Sequence, residues 1–346
     1  MNSTTKRIIA SLTAAAAMGS CSISPLAVAG IVPELSALTA TAAEDLTYGD
    51  FSYAIKKVDE SDEITITKYN GTDTEVTIPA EIDKIPVTEI GERVFENKKD
   101  ITKVVLPDSL KSIRQYAFRG CNGLTDINFP EGLEDICFAA FDNASLTEVS
   151  LPKSLTFCDN GLRIGTLKKV TFADGTEKIP DKCLESASTL EEVVVPESVK
   201  TIGQYAFRGC NSLTDFKFHE GLEDICFAAF DGTSLTEVSL PKSLTFCDNG
   251  LRIGTLKKVT FADGIEKIPD KCLESASALE EVVVPESVKT IGQYAFRGCK
   301  SLTDFKFHEG LEDICFAAFD GTSLTEVSLP KSLTFCDNGL RIGTLK

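Results

Sequence analysis

The feature that most constrains the fold is an internal repeat. Residues 168–257 and 257–346 align without gaps and differ at three positions, so the period is 89 residues. Within it, Leu or Ile opens a unit every 21 to 23 residues, and four units make up the 89. A coil of this length cannot bury an apolar face alone, but stacked coils can, so the repeat predicts a solenoid. The openings are Ile101, Leu124, Leu146, Leu167, Leu190, Leu213, Leu235, Leu256, Leu279, Leu302 and Leu324.

Each unit is predicted to begin with a short strand. The openings read L-x-x-[VI]-x-[FLV] and usually end in Pro, as in LEEVVVP at 190–196. Alternation at Val193 and Val195 points one strand face inward, and the Pro ends the ladder because it has no N–H. The second half, such as VKTIGQYAFRGCNSL at 199–213, has turn-like apolar spacing. We therefore expect about twelve coils with one parallel β-sheet face and an irregular or short-helical return side.

These motifs resemble a known family. The run IGQYAFRGCNSL at 202–213, its copies at 113–124 and 291–302, and the L-x-x-V-x-[FL]-P strand resemble the BspA-type (bacterial surface antigen) leucine-rich repeat. The segment at 76–95 is similar to the first coil of such proteins. Two coils in every four depart from the pattern, since SLTFCDNGLRIGTL lacks the Ala-Phe pair and KIPDKCLESASTL has Cys-Leu in its place. The resemblance implies a right-handed solenoid on secreted or cell-surface proteins that serve in adhesion and protein binding.

The amino-terminal segment, residues 1–43, is predicted to be a secretory signal peptide. Lys6 and Arg7 precede a short apolar stretch that ends near Met18. That stretch is too short to span a membrane, and no later apolar run is long enough. Cleavage after residue 29 or after residue 43 fits the small-x-small rule, and the later site is favoured because patterned sequence starts there. An alternative is that Cys21 is the lipidated residue of a lipoprotein.

Two further regions follow the signal peptide. Residues 44–75 are predicted to form an N-terminal β-hairpin cap, because 51–69 alternates on both sides of an acidic turn and Asn70-Gly71 is a turn signal. Residues 76–346 are predicted to form the solenoid in its 89-residue super-repeats. The sequence stops at Lys346 inside a unit, so we expect a chain truncated at the C-terminus.

Composition disfavours most chemistry. The net charge of −17 repels phosphate backbones, so nucleic acid is not an expected partner. The two histidines, His219 and His308, share one repeat position, which Pro130 occupies in an earlier copy. Both are expected to be exposed turn residues without a catalytic or metal role. With no Gly-rich phosphate loop and no C-x-x-C motif, we predict no catalytic residue, metal or cofactor.

Eleven cysteines follow the signal region, and adjacent coils suggest three possible disulfides. In each pair, one Cys takes an inward position and the other follows an inward Ile, so the two side chains should diverge. Buried or half-buried free thiols are therefore favoured over bridges. The pairs are Cys137/Cys158, Cys226/Cys247 and Cys315/Cys336.

The outward strand positions form the candidate binding face. Acidic and basic rungs alternate along it, one strand spacing apart. The favoured interpretation is cross-strand charge pairing that keeps the coils in register, and the alternative is a striped binding surface. The residues are Thr125, Asp126, Thr147, Glu148, Lys168, Lys169, Glu191, Glu192, Thr214, Asp215, Thr236, Glu237, Lys257, Lys258, Glu280, Glu281, Thr303, Asp304, Thr325 and Glu326.

The sequence favours a secreted or cell-surface, non-enzymatic binding or adhesion protein that presents an acidic face to an extracellular protein or glycan. An alternative is a non-catalytic module of a larger secreted fibre-degrading assembly. A remote alternative is a parallel β-helix enzyme acting on polysaccharides, which requires three sheets per coil. The absence of Trp and the presence of only six Tyr weaken stacking on sugar rings as the binding mode.

Overall fold

A computed structural model describes residues 46–345, and the predicted signal peptide and its cleavage sites lie outside them. The described residues contain 25 strands and no helix. In chain order the strands are β1 (Leu46–Tyr48), β2 (Phe51–Val58), β3 (Ser61–Tyr69), β4 (Glu75–Thr77), β5 (Glu81–Ile82), β6 (Ile85–Ile90), β7 (Lys103–Val105), β8 (Ser112–Ile113), β9 (Asp126–Ile127), β10 (Asp135–Ile136), β11 (Glu148–Leu151), β12 (Phe157–Cys158), β13 (Lys169–Phe172), β14 (Lys178–Ile179), β15 (Glu192–Val194), β16 (Thr201–Ile202), β17 (Asp224–Ile225), β18 (Glu237–Leu240), β19 (Phe246–Cys247), β20 (Lys258–Phe261), β21 (Lys267–Ile268), β22 (Glu281–Val283), β23 (Thr290–Ile291), β24 (Asp313–Ile314) and β25 (Phe335–Cys336).

The first strand series comes from the L-x-x-V segments. It comprises β4, β7, β9, β11, β13, β15, β18, β20 and β22, which pair in parallel as three ladders of three strands. Register joins equivalent positions of successive coils, as Val149 with Val170 and Val170 with Val193. The opening Leu residues are buried and the inward Val residues are buried or half-buried, because successive strand residues point to opposite faces. This series confirms the predicted parallel face.

A second strand series lies on another side of each coil. It comprises β6, β8, β10, β12, β14, β16, β17, β19, β21, β23, β24 and β25, again paired in parallel. Most of these strands have two residues, one outward and one inward, such as Thr201 and buried Ile202. The sequence predicts only one sheet face, because two residues are too few to show a period of two.

The return side is irregular, and its backbone bonds run to the next coil. The N–H groups of Tyr205, Phe207 and Gly209 donate to carbonyls one coil on, at 2.8–3.0 Å. Tyr205 has φ 57° and Gly209 has φ 74°, so left-handed residues stand four positions apart. A left-handed residue interrupts a right-handed helix, and the predicted short helices are therefore absent from residues 46–345.

Aromatic rings stack through the core along the coils. The Phe95, Phe118 and Phe141 rings follow one another with centroids 4.9 and 5.0 Å apart and nearly parallel planes. Phe207 and Phe230 repeat the arrangement at 5.2 Å. Where successive coils carry the Phe, the ring spacing therefore matches the spacing of about 4.8 Å between parallel strands. Leu162 and Leu184 take this position in the two coils between the stacks.

The predicted amino-terminal hairpin is present. β2 and β3 pair antiparallel, and β3 then pairs in parallel with β6. Two nearly buried carboxylates link the hairpin and β6 to the next coil. Glu63 accepts a hydrogen bond from Lys111 at 2.8 Å, and Glu89 lies 2.8 Å from Arg114. The Lys111 hydrogen bond is the main reason that the pKa of Glu63 lies below its ordinary value. The hairpin thus extends the second strand series through the parallel pair of β3 with β6 and covers the first coil.

Candidate functional site

The structure places the predicted binding residues on the outer side of the first strand series. All twenty are exposed or half-buried, as the alternation predicts. The second residue of each pair forms one column across neighbouring strands, in which Glu148 lies beside Lys169 and Lys169 beside Glu192. The coils therefore bring these side chains together in one face, which we call the acidic face.

Lysine rungs of the acidic face pair with the glutamates of the following coil. Lys168 lies 3.3 Å from Glu191, and Lys169 lies 2.7 Å from Glu192. The second copy repeats the stronger contact, with 2.8 Å between Lys258 and Glu281. The hydrogen bond that Lys169 donates to Glu192 raises the pKa of Lys169. These contacts support cross-strand charge pairing, although exposed pairs contribute little to stability.

Charge pairing does not neutralise the whole acidic face. Between Lys169 and Lys258 the column carries Glu192, Asp215 and Glu237 in three successive coils. Neither Asp215 nor Glu237 forms an ion pair within the part of the chain that is described. Glu237 lies beside Lys258 of the next strand without an ion pair, whereas Asp215 lies between Glu192 and Glu237 in the column, so strict alternation of acidic and basic rungs is not found.

The first strand series is interrupted in the middle of this acidic run. The coil at 213–222 lacks a strand there, and so does its copy at 302–311. Phe216 packs 4.8 Å from both Phe218 and Phe230, ring centroid to ring centroid. Phe216 takes the position of the smaller inward Val or Ile of the strand-forming coils, whereas the Phe218 position also holds a Phe in three of those coils. Asp215 consequently stands on irregular backbone between two regular ladders, and Asp304 stands on irregular backbone after the last of them.

The two histidines contradict the expectation of exposed turn residues. His219 is only 7% exposed, and His308 is half-buried. Nδ1 of His219 lies 2.9 Å from the Glu220 carbonyl oxygen, while its Nε2 has no hydrogen-bond partner within the described chain. Phe218 directly precedes His219, and the Phe cluster that replaces the strand carries the imidazole inward with it.

The cysteines confirm the predicted free, mostly buried thiols, but the thiol contacts between coils differ from the three pairs considered. All eleven within residues 46–345 are free, and most are buried. Cys158 contacts Cys183 of the next coil, and this contact together with burial raises the pKa of the Cys183 thiol. The sequence suggested Cys137 as the neighbour of Cys158. Cys183 was not considered, because it stands where other coils have Ala and its burial does not follow from the repeat pattern.

The thiols of Cys121 and Cys210 donate to carbonyls of the preceding coil, at 3.0 and 3.3 Å. Desolvation raises the pKa of each of these two thiols to about 12.

A charge ladder on the return side was not predicted. Arg208 lies 3.0 Å from Glu185 and 3.8 Å from Asp231, and Arg252 lies 3.4 Å from Asp231. Arg297 makes the same contact with Glu274 at 3.1 Å. The available signal was the Arg of FRGC and the Asp of FDGT, which stand 23 residues apart at equal positions of neighbouring coils. This ladder is internally neutral, so it joins coils and leaves little free charge for a ligand.

Exposed phenylalanines on the second strand series were also missed. Phe157, Phe246 and Phe335 are 48%, 47% and 51% exposed, at intervals of 89 residues. Each takes the outward position that Asp135 and Lys178 hold in neighbouring coils. The available signal was the Phe of SLTFCDNG, which stands immediately before an inward Cys. The sequence did not assign this segment to a strand and could not say which way the ring points.

Residues 46–345 hold no cluster of His, Cys, Asp and Glu side chains suited to a metal ion. Nor does this part of the chain contain a helix of the length and hydropathy needed to cross a membrane.

Comparison with known proteins identifies the repeat. The family model described as BspA type leucine-rich repeat region matches residues 74–162, 163–251 and 252–340. No curated protein sequence matches the chain. A leucine-rich repeat protein from Bacteroides ovatus is similar in structure, with a TM-score of 0.50 and 23% identity over 84% of this chain and 90% of that one.

Two further solved structures are more distant. A leucine-rich cell surface protein from Faecalibacterium prausnitzii has a TM-score of 0.38 and 22% identity over 84% of this chain and 94% of that one. The pneumococcal vaccine antigen PcpA has a TM-score of 0.38 and 20% identity over 87% of this chain and 80% of that one. The family match spans most of the chain, and its three segments follow the 89-residue period. The chain belongs to the BspA-type leucine-rich repeat family.

Proposed function

We propose that this is a secreted or cell-surface binding protein without catalytic activity, which uses the acidic face to hold an extracellular protein partner. The observation that carries the proposal is the run of Glu192, Asp215 and Glu237, in which two carboxylates lack ion pairs among the described residues. An exposed, uncompensated acidic run attracts a basic surface, and it gives specificity and faster association more than raw affinity. A glycan with cationic groups is the second partner class that this charge suits.

Repetition strengthens such a contact. Glu281, Asp304 and Glu326 repeat the acidic run four coils further on. Four parallel strand spacings separate the runs by about 19 Å. A partner with two basic patches at this separation would engage both runs, and linked weak contacts raise the overall affinity.

Two other functions remain as alternatives. As a module of a secreted fibre-degrading assembly, the solenoid would bind through the same face. As a polysaccharide-acting enzyme, it would need a chemical group found once, whereas the ion-pair clusters of the coils at 168–257 recur in the next super-repeat. After the first coil, the described coils also carry at most two strands each, against the three sheets of a parallel β-helix enzyme. We therefore favour binding over catalysis.

Charge reversal tests the proposal. Binding of the chain to an array of extracellular matrix proteins would be measured at about 50 mM and 300 mM salt, since screening weakens contacts between exposed charges. Asp215→Lys with Glu237→Lys should weaken binding at low salt by at least about tenfold, mainly through slower association. Glu223→Lys with Glu312→Lys makes the same charge change on exposed residues of the second strand series and should bind as the wild type does. Equal effects of both pairs, or none, would contradict an acidic binding face.

A further inference from the structure

The second strand series is open at two equivalent places. Its ladder ends at Phe157–Cys158 and begins again at Lys178–Ile179, and it ends once more at Phe246–Cys247 before Lys267–Ile268. Parallel pairing joins the other neighbours within each ladder. Between the Phe157 coil and the Lys178 coil lies a groove instead of a strand pair.

The groove has room for a ligand. One cavity of about 410 Å³ is lined by Phe157, Lys178 and Gln204 among others. A second cavity of about 370 Å³ continues it past Thr156 towards Gly175. Small-molecule sites have volumes of about 300–1,000 Å³ and combine an apolar surface with a few polar groups. The two cavities share Thr156 and Lys178, so they form one elongated depression across the face.

Three Lys and three acidic side chains line the groove, and two of each form ion pairs. Lys178 lies 3.3 Å from Asp181, and Lys182 lies 3.4 Å from Asp159. The groove is therefore close to neutral while offering donors and acceptors, since each ammonium and each carboxylate can make further hydrogen bonds. An anionic ligand would gain little here and would be repelled by a chain with a net charge of −17.

The aromatic ring stands alone in this polar setting. Past the hairpin, the large apolar side chains exposed on the second strand series are Phe157, Phe246 and Phe335, and they are four coils apart. A protein interface needs a contiguous apolar centre, which single rings at about 19 Å do not supply. A sugar ring fits better, because the C–H groups of one face can lie on the phenyl ring while its hydroxyls reach the paired Lys and Asp side chains.

The whole arrangement recurs in the next super-repeat. Phe246 is as exposed as Phe157. The two ion pairs are repeated by Lys267 with Asp270 at 3.1 Å and by Lys271 with Asp248 at 3.2 Å. The ladder is again interrupted beside the Phe. Equal sites at a fixed spacing suit a ligand that is itself a repeating polymer.

We propose that the groove beside Phe157 and its copy beside Phe246 are binding sites for a neutral polysaccharide. Phe stacks on the apolar face of a sugar, and the paired Lys and Asp side chains together with Gln204 bind its hydroxyls. These sites lie on the second strand series, away from the acidic face, and are independent of the partner proposed for that face. The exposed phenylalanines supply an aromatic surface for stacking on sugar rings, although the chain has no Trp.

Affinity gel electrophoresis tests the sites with named probes. The chain would be run through gels that contain glucomannan, xyloglucan, mixed-linkage β-glucan or arabinoxylan, with polygalacturonate as the anionic comparison. We expect at least one neutral polysaccharide to retard the wild type. Replacing Phe157, Phe246 and Phe335 together by Ser should raise the apparent Kd at least about tenfold, and Phe157→Ser alone should have an intermediate effect, because several sites share one polymer.

A matched control is available on the other strand series. Val105, Val194 and Val283 are 40–44% exposed and also recur every 89 residues, and their triple Ser variant should bind the polysaccharide as the wild type does. Asp215→Lys with Glu237→Lys should also leave this binding unchanged, which separates the present proposal from the acidic face.

The proposal is wrong if no neutral polysaccharide retards the wild type, if polygalacturonate alone does, or if the Phe and Val variants behave alike. It is also wrong if sedimentation shows a dimer that the Phe variant dissociates, since a second copy would then occupy this face.

Discussion

At the scale of single residues, the burial of a side chain determines how much its substitution changes the free energy of unfolding. Phe207 is fully buried, and its ring packs 5.2 Å from both Phe230 and Phe216. Phe207→Ala would remove a ring from a stack that neighbouring coils share. We expect it to lower the free energy of unfolding by about 3–5 kcal/mol, as for other buried aromatics. Chemical denaturation monitored by circular dichroism measures this change.

The control for that variant is an exposed acid of the same coil region. Glu192 is exposed and its ion pair with Lys169 is on the surface, so Glu192→Ala should change the free energy of unfolding by less than about 1 kcal/mol. Comparable losses from Phe207→Ala and Glu192→Ala would show that the inward and outward assignments are wrong.

A second residue-scale prediction concerns Glu63 in the hairpin junction. Its pKa lies below the ordinary value, mainly because Lys111 donates a hydrogen bond to the carboxylate. A depressed pKa means that the ionised form stabilises the fold above the ordinary carboxyl pKa, and that this stability is lost as the pH falls through the folded-state pKa. Glu63→Gln should therefore destabilise the protein at pH 7 by about 1–2 kcal/mol. The difference from the wild type should shrink as the pH is lowered below 4.

Thermal unfolding of both proteins from pH 7 to pH 3 checks this sign. Lys111→Met, which removes the principal partner, should show the same pH trend with Glu63 intact. A gap that widens as the pH falls would contradict the assignment of Glu63 as a buried, ionised acceptor.

At the scale of elements, the interrupted strand should be visible in dynamics. Residues 214–218 form no strand, whereas β15 at Glu192–Val194 lies in a regular ladder. Amides outside a ladder open more easily than amides within one. Hydrogen exchange should therefore be faster at 214–218 than at 192–194, and the copy at 303–307 should be faster than β22. Equal protection in the interrupted and regular segments would argue that a strand forms there in solution.

The two strand series also show which parts of the fold could be predicted from the sequence. The 89-residue period, the 21- to 23-residue coil and the inward Val residues of the first strand series follow from spacing alone, because every coil repeats them. Two-residue strands such as β16 carry no periodic signal, so the second strand series could not be predicted. The burial of His219 depends on the Phe216 and Phe218 rings that displace the strand, and this packing is not encoded in a hydrophobic pattern.

The candidate sites divide in the same way. The acidic face could be predicted, because strand alternation determines which side chains point outward. The groove beside Phe157 could not, because it depends on how a coil of 21 residues stacks on one of 23. A contact between coils, such as that of Cys158 with Cys183, likewise cannot be predicted from the place of each residue in the repeat alone. Its prediction also needs the depth of each side chain within its coil.

At the scale of the whole solenoid, the super-repeat is a module of four coils. Leu167 precedes Lys168 in the same sequence context in which Leu256 precedes Lys257, so deleting residues 168–256 recreates an existing junction. Each coil contacts its immediate neighbours, and stability in such arrays is roughly a sum of coil and interface contributions. We expect the deletion variant to fold with the same strand content per residue and a lower midpoint of chemical denaturation.

Small-angle X-ray scattering of the chain and of its 168–256 deletion tests directly whether the protein is a solenoid built from four-coil modules. Removal of four stacked coils should shorten the maximum dimension by about 19 Å, at one parallel strand spacing per coil, and leave the cross-sectional radius of gyration unchanged. An unfolded profile, or a loss of thickness rather than length, would contradict a solenoid built from four-coil modules.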